Sequence, residues 1–360
     1  MRVADMNLGI YRGRRVLVTG QTGFKGAWLC TWLAKLGARV AALALPPEVE
    51  RPNLYVATNL AQRIESNIGD IRDYATVEKT LANFQPEVVF HLAAQALVRR
   101  SYKDPIGTFA SNVMGTVHLL EAARQCESVR AFVCVTTDKV YNNREWDWGY
   151  REDDPLGGKD PYSASKAAAD IAAQMYQATL APLRGRMAIA VARGGNVVGG
   201  GDWSEDRLLP DVVRALCSGG DIVLRNPQSI RPWQHVLELC AGYLQLGARL
   251  LDSPQTATGA WNFGPDRDHE VEVRKLVSDF CATWDAQTAV RIEPSGLKES
   301  GILKLDNDKA IRRLGWSPRL DYATTIEWTS SWYRRFHEHH VPASALMDEQ
   351  LIAYSGMSIA

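Results

Sequence analysis

Apolar and polar positions alternate in two rhythms over about the first 190 residues, the pattern of βα units. Arg15-Val16-Leu17-Val18-Thr19 reads as a buried strand. A helix from about Lys25 to Leu36 follows, ended by Gly37, and then a second strand from Arg39 to Leu45. Further strands are expected at Val88-Val89-Phe90-His91-Leu92, at Ala131-Phe132-Val133-Cys134-Val135 and from Met187 to Val191. Helical patterns lie between them, including Asn112 to Gln125 and Ala164 to Tyr176. Strand, helix, strand with short connections predicts an α/β fold, a Rossmann-type doubly wound parallel sheet.

After Arg193 the rhythm breaks. Gly194 to Asp202 is glycine-rich, and Leu209 to Pro232 mixes one helix with turn-forming residues. A helix from about Val236 to Leu251 resumes the earlier pattern. Val271 to Trp284 reads as a helix, Val290 to Pro294 as a short strand, and Asp308 to Leu314 and Ala323 to Phe336 as helices. These features predict a Rossmann domain of residues 1–193 plus about 235–265. A smaller, interleaved C-terminal substrate-binding lobe would take about 194–234 plus 266–360, with the cleft between them holding substrate.

Composition narrows the partners. The 360 residues carry 41 basic and 41 acidic side chains. That balance argues against a general polyanion binder, and no basic stripe suggests nucleic acid. No apolar run approaches the roughly 20 residues of a membrane span. Met1 to Arg15 lacks the apolar core of a signal peptide, so a cytoplasmic protein is expected. Six cysteines are scattered singly, as buried reduced thiols would be, and no metal site is expected from their spacing. His337-Glu338-His339-His340 follows a charged helix and reads as its solvated end.

The first chemical signal is Thr19-Gly20-Gln21-Thr22-Gly23-Phe24-Lys25-Gly26, where strand one becomes helix one. Glycines let the backbone approach a pyrophosphate, and the helix N-terminus offers N–H groups and positive potential. The spacing is Gly-x-x-Gly-x-x-Gly rather than the usual Gly-x-Gly-x-x-Gly. The acidic residue that usually ends strand two is missing: Ala44-Leu45-Pro46-Pro47 precedes Glu48. Arg51 lies near enough to suggest a 2′-phosphate contact, so NAD and NADP both remain open at this point. Asp70-Ile71 are candidates for the adenine edge, with a helix N-cap as the alternative.

The second signal is Tyr162 and Lys166, four residues apart and so on one helix face. A phenol with a pKa of about 10 is a poor base at neutral pH, and a nearby ammonium, helped by an oxidised nicotinamide, favours its phenolate. The strand Val133-Cys134-Val135 runs directly into Thr136-Thr137-Asp138-Lys139-Val140-Tyr141. Functional groups gather at the carboxyl ends of such strands, and Lys139 adds nothing to a turn.

With these motifs in place, the sequence resembles the extended short-chain dehydrogenase/reductases, and within them the CDP-glucose 4,6-dehydratases. The resemblance covers nearly the whole chain. It rests on Phe24-Lys25-Gly26, His91-Leu92-Ala93-Ala94-Gln95, Thr-Thr-Asp-Lys-Val-Tyr and the Tyr162/Lys166 pair. It continues through Arg193-Gly194-Gly195-Asn196-Val197-Val198-Gly199-Gly200-Gly201-Asp202-Trp203 and Arg231-Pro232-Trp233-Gln234-His235-Val236. Lys139, where dTDP-glucose dehydratases place a glutamate, points to the CDP-glucose branch.

The resemblance implies NAD as cofactor, CDP-glucose as substrate and a homodimer or dimer of dimers. It implies a lyase of deoxysugar and surface-polysaccharide biosynthesis that makes CDP-4-keto-6-deoxyglucose. Thr137, Asp138, Lys139, Tyr162 and Lys166 would be catalytic. Gly20, Thr22, Gly23, Phe24, Lys25, Gly26, Asp70, Ile71, Leu92, Ala93 and Ala94, with Tyr162 and Lys166, would meet the cofactor. Gln95, Asn196, Arg207, Arg231 and Asn262 would meet the nucleotide sugar. Trp203 and Trp233 are as readily core as site. A sugar-nucleotide epimerase or reductase needs the Tyr–Lys pair but no acid for a 6-hydroxyl, so Asp138-Lys139 favours elimination. A non-catalytic dinucleotide sensor would be expected to lose Tyr162 or Lys166, and both are present.

Overall fold

A computed structural model of the chain describes residues 8–183, 185–266, 270–284, 288–293 and 301–357. Its centre is a seven-stranded, all-parallel sheet. The strands are β1 (Arg15–Thr19), β2 (Arg39–Ala44), β3 (Glu65–Ile68), β4 (Val88–His91), β5 (Ala131–Val135), β6 (Ala188–Gly194) and β7 (Gly259–Phe263). Their order across the sheet is β3-β2-β1-β4-β5-β6-β7.

Alternate residues of each strand feed two cores. Leu17, Val89 and Phe132 pack with Val77, Leu81, Leu119 and Leu120 of the helices Tyr74–Phe84 and Gly115–Gln125. Val16, Val18, Phe90 and Val133 face the larger core formed with α1 (Phe24–Lys35) and the Val236–Asp252 helix. A parallel sheet covered on both faces needs apolar residues at nearly every central position, which explains the continuous apolar runs of β1, β4, β5 and β6. Chain order reverses between β1 and β4. The crevice beyond their carboxyl ends is where open α/β sheets bind ligands.

Element ends differ from the periodicity reading for identifiable reasons. The helix expected at Ala164 starts at Pro161, because Asp160 caps it through the Ser163 N–H and proline suits the first turn. The helical run expected from Asn112 begins earlier, at Pro105, and carries a π-turn over Ala110–Met114 before Gly115. Val271 belongs to a short strand, Glu270–Glu272, paired antiparallel with Ile230–Pro232, and the helix runs Val273–Trp284. Of the strand expected to reach Pro294, Val290–Ile292 is present, pairing with Ile222–Leu224, and Pro294 lies outside the described residues. Trp203 and Trp233 are both core, at 6% and 7% exposure.

The C-terminal segments return to the larger core through one buried acid. Glu238, 2% exposed, accepts the Arg319 and Leu320 N–H groups at 2.9 and 2.8 Å and the Tyr354 hydroxyl at 2.7 Å. Burial outweighs those hydrogen bonds and pushes its pKa up to about 7. A carboxyl whose folded pKa lies above its unfolded value favours the fold while protonated. That contribution is complete below the unfolded pKa and lost as pH rises toward 7, on the order of 3 kcal/mol across the window. Glu238→Gln mimics the protonated acid. Its melting temperature relative to the parent should therefore rise from pH 5 to pH 8, and a difference independent of pH would contradict the assignment.

Candidate active site

The glycine turn is built by contact. Gly20 has φ +90°, and a Cβ there would stand 2.9 Å from the Ala93 nitrogen, so the turn closes only without a side chain. At Gly26 a Cβ would fall 2.0 Å from the Gly20 carbonyl oxygen, which lets α1 start directly against the turn. Gly23 caps α1 with no side-chain bond, leaving the helix end to another acceptor. A dinucleotide diphosphate fits that end. Thr22 donates to the Leu45 carbonyl at 3.0 Å, while Phe24 packs against Gly199 and the core.

A buried relay fixes the neighbouring loop. The Leu92 and Ala93 N–H groups donate to Thr19 Oγ1 at 3.2 and 3.1 Å. Thr116 donates to the Asn112 carbonyl at 2.7 Å, so at His91 Nε2, 2.9 Å away, it is the acceptor. His91 Nδ1 is then left to accept from Thr19 at 2.8 Å. Burial, reinforced by the charge of Lys166, lowers the imidazole pKa to about 3, so the ring is a neutral brace. Asn112 completes the frame by accepting from the Gln95 N–H at 2.7 Å and donating to Ser165 at 2.9 Å. Sequence reading missed this frame, although the polar His91 at the end of an apolar strand was its visible signal.

The Pro161–Met175 helix brings Tyr162 and Lys166 to the end of β5, as their spacing implied. Lys166 is buried and donates to the Val135 carbonyl at 2.8 Å. Burial lowers its pKa, with the Cys134 thiol and Asp170 acting the other way. Tyr162 is shifted opposite to the sequence expectation. Burial pushes its phenol up to about 12, outweighing the Thr137 hydroxyl and Arg207. The protein alone therefore holds Tyr162 as a neutral phenol at pH 7. Thr137 donates to Asp138 at 2.9 Å, and Asp138, 1% exposed, also accepts from Asn196 at 3.3 Å. Lys139 sits half-buried on the short turn Asp138–Val140.

Lys25 is half-buried on the first turn of α1. Burial and the charges of Arg207 and Lys166 lower its pKa to about 8, with Asp138 partly opposing. Lys25, Lys166 and Arg207 thus share one cleft in a chain of zero net charge, a local field suited to diphosphate.

Other residues expected to meet a ligand make contacts within the chain, Asn262 and Gln95 with their whole amides and Arg207 and Arg231 with part of their guanidinium groups. Asn262 is fully buried. It accepts from Tyr141 at 2.6 Å and donates to the Tyr150 and Asp306 carbonyls at 2.8 and 3.2 Å, so its side chain offers nothing to a ligand. The Gln95 amide closes its own loop through Leu97 and Thr108. Asp70 is held by Arg72, whose side chain donates at 2.6 and 2.8 Å, and Ile71 packs into the core against Gly115. Arg207 reaches Asp202 at 3.4 Å, and Arg231 donates to the Ile230 and Gly301 carbonyls at 2.9 Å each. Ala94 lies half-buried beside Ala93. Among the described residues, no group of three His, Cys, Asp or Glu is arranged to hold a metal.

Comparison with known proteins gives the site its relatives. Residues 17–329 match the family model of GDP-mannose 4,6 dehydratase. A CDP-glucose 4,6-dehydratase of Salmonella typhimurium is 44% identical over 334 residues, spanning 90% of this chain and 92% of its own. A dTDP-glucose 4,6-dehydratase from Streptomyces venezuelae, solved with NAD bound, superposes with a TM-score of 0.76 at 27% identity, over 89% of this chain and 97% of that one. A UDP-glucose 4-epimerase of Thermus thermophilus in complex with NAD does so with a TM-score of 0.77 at 26% identity, covering 89% and 99%.

Gly195 provides a test of this geometry. A Cβ at that position would lie 2.2 Å from the Asp138 carboxyl. Gly195→Ala should therefore displace Asp138 and lower turnover by roughly a hundredfold while dinucleotide affinity changes little. Steady-state kinetics and a binding titration check this, and full activity would contradict it.

Proposed function

The chain belongs to the GDP-mannose 4,6 dehydratase family, and from that premise we propose that it converts CDP-glucose to CDP-4-keto-6-deoxyglucose in the cytoplasm. One observation carries the choice of elimination over epimerisation. A buried carboxylate, Asp138, shares the Thr137 hydroxyl with the Tyr162 phenol. Inverting a 4-hydroxyl needs the phenol alone, whereas expelling a 6-hydroxyl needs a second proton donor.

When bound, NAD supplies the hydride acceptor at C4 and the hydride donor at C6, and its nicotinamide adds the positive charge that Tyr162 lacks. Gly20, Gly23 and Gly26 leave the approach to the α1 end open, and Lys25 lies beside it. Lys166 lies on the Tyr162 face of the helix. Tyr162 takes the proton of the sugar 4-hydroxyl. The resulting 4-keto group acidifies C5–H, and Lys139 stands on the short turn beside Asp138. Asp138 is the acid suited to the departing 6-hydroxyl, so water leaves. With hydride returned to C6 and a proton to C5, the product would differ from the substrate by one water and the cofactor would be unchanged. Asn196, Arg207 and Arg231 hold the nucleotide diphosphate, since arginine forks match phosphate oxygens. We assign the substrate lobe to the described residues of 194–234 and 266–357.

We also propose a homodimer. Ile106, Phe109 and Met114 on one helical run and Ile171 and Met175 on the neighbouring helix are 41–83% exposed, an apolar face suited to an isologous contact. Lysine at Ile106 and Ile171 together should halve the mass seen by light scattering, and an unchanged mass would contradict this interface.

The activity is tested by incubating the protein with NAD and, separately, CDP-glucose, dTDP-glucose, UDP-glucose and GDP-mannose. Loss of one water from CDP-glucose without net NADH is expected. A product of unchanged mass would favour epimerisation. Asp138→Asn should slow elimination more than C4 oxidation in single-turnover experiments, and equal slowing would remove it as the acid.

A further inference from the structure

The acid that usually ends β2 and receives the adenosine ribose is absent here, so selectivity between the two nicotinamide dinucleotides needs another source. The loop beyond β2 is tied to the glycine turn at both ends. Thr22 donates to the Leu45 carbonyl at 3.0 Å, and Asn53 donates to the Thr22 carbonyl at 2.8 Å. Glu48 and Arg51 are therefore held over the mouth where an adenosine ribose would lie. Arg100, from the Val98–Lys103 helix, reaches the same place. Two arginines there would welcome a 2′-phosphate.

Both are already taken. Glu205, arriving from the segment between Asp202 and Arg207, accepts Arg51 on one oxygen at 2.8 Å and Arg100 on the other at 2.8 Å. Glu48 accepts Arg100 at 2.9 Å and lies 3.5 Å from Arg51. The two guanidinium groups hold the Glu205 carboxyl below its usual range, as a closed ring of two positive and two negative charges should. A 2′-phosphate entering this ring meets two carboxylates; an unmodified ribose brings no charge against them.

We propose that Glu205, with Glu48, selects NAD over NADP by occupying Arg51 and Arg100 at the adenosine end of the cleft. Selectivity is thus set largely from a loop about 160 positions beyond the strand that usually carries it. The reading of Arg51 as a 2′-phosphate ligand is reversed: its charge is cancelled until the carboxylates are removed.

The inference rests on the dinucleotide reading of the cleft, and one set of titrations separates the two. Full-length protein is challenged with NAD or NADP, and dissociation constants are taken from displacement of bound cofactor measured by chromatography. The parent should prefer NAD by at least about tenfold. Glu48→Gln with Glu205→Gln should move the ratio toward NADP by roughly tenfold, an effect that shrinks at high salt and vanishes when Arg51→Ala and Arg100→Ala are added. An unchanged ratio in a variant with the parental melting temperature would overturn the proposal alone. Equal tightening of both cofactors would overturn it too, since the ring would then act as a general barrier. Failure of the parent to bind NAD would overturn the dinucleotide reading and this one together.

Discussion

The buried ion pair between Arg193 and Asp170 holds the stretch from Thr137 to Lys139 in place. At 1% and 0% side-chain exposure, both charges have lost their water, and the pair persists because every polar atom is used. Asp170 accepts Arg193 at 2.8 and 2.9 Å, Thr136 at 3.0 Å and Gln174 at 2.6 Å. Arg193 also donates to the Tyr141 hydroxyl at 2.8 Å and the Glu152 carbonyl at 2.9 Å, with its guanidinium over the Tyr141 ring. Tyr141 donates its own proton to Asn262 on β7. Thr136 and Tyr141 bracket Thr137-Asp138-Lys139, so both ends of that stretch hang from one ion pair. Removing one partner from such a pair leaves a buried unpaired charge, at a cost of about 3–5 kcal/mol.

This pair also explains what could and could not be read beforehand. The sheet was legible because strands buried on both faces must be continuously apolar, as at Val16–Val18 and Val133–Val135. β3 and β7 were not: β3 is a half-exposed Glu-Ser-Asn-Ile sequence at one sheet edge with no apolar run, and β7 is a short Gly-Ala-Trp-Asn-Phe stretch at the other. The Ala343–Gly356 helix was missed since its apolar residues do not gather on one face. Tyr162 and Lys166 were found from their spacing together with the strand before them and the family resemblance, yet Asp170 continues the same stripe one turn further and went unread. Its meaning depends on Arg193, which arrives from another strand. Asn262 and Gln95 show the same limit: a motif marks a position as constrained, and only packing tells whether ligand or neighbouring backbone imposes the constraint.

Electrostatics divides the site into tasks. The interior gathers Lys25, Lys166 and Arg207 near Asp138, and the pKa of Lys25 is lowered first by burial and then by the other two charges. The neutral His91 relay supplies stiffness without charge beneath the cofactor turn. At the mouth, charges pair off instead, through Glu48, Arg51, Arg100 and Glu205. Tyr162, raised to about 12 by burial, is a neutral phenol in the protein alone.

The central claim is that hydride leaves C4 and returns to C6 of the same sugar. CDP-glucose carrying deuterium at C4 tests it directly, with the product analysed by mass spectrometry and NMR. The account predicts a dehydrated product with deuterium at C6, solvent hydrogen at C5 and no labelled NADH released. Deuterium retained at C4 in a product of unchanged mass, or lost with free NADH, would contradict it.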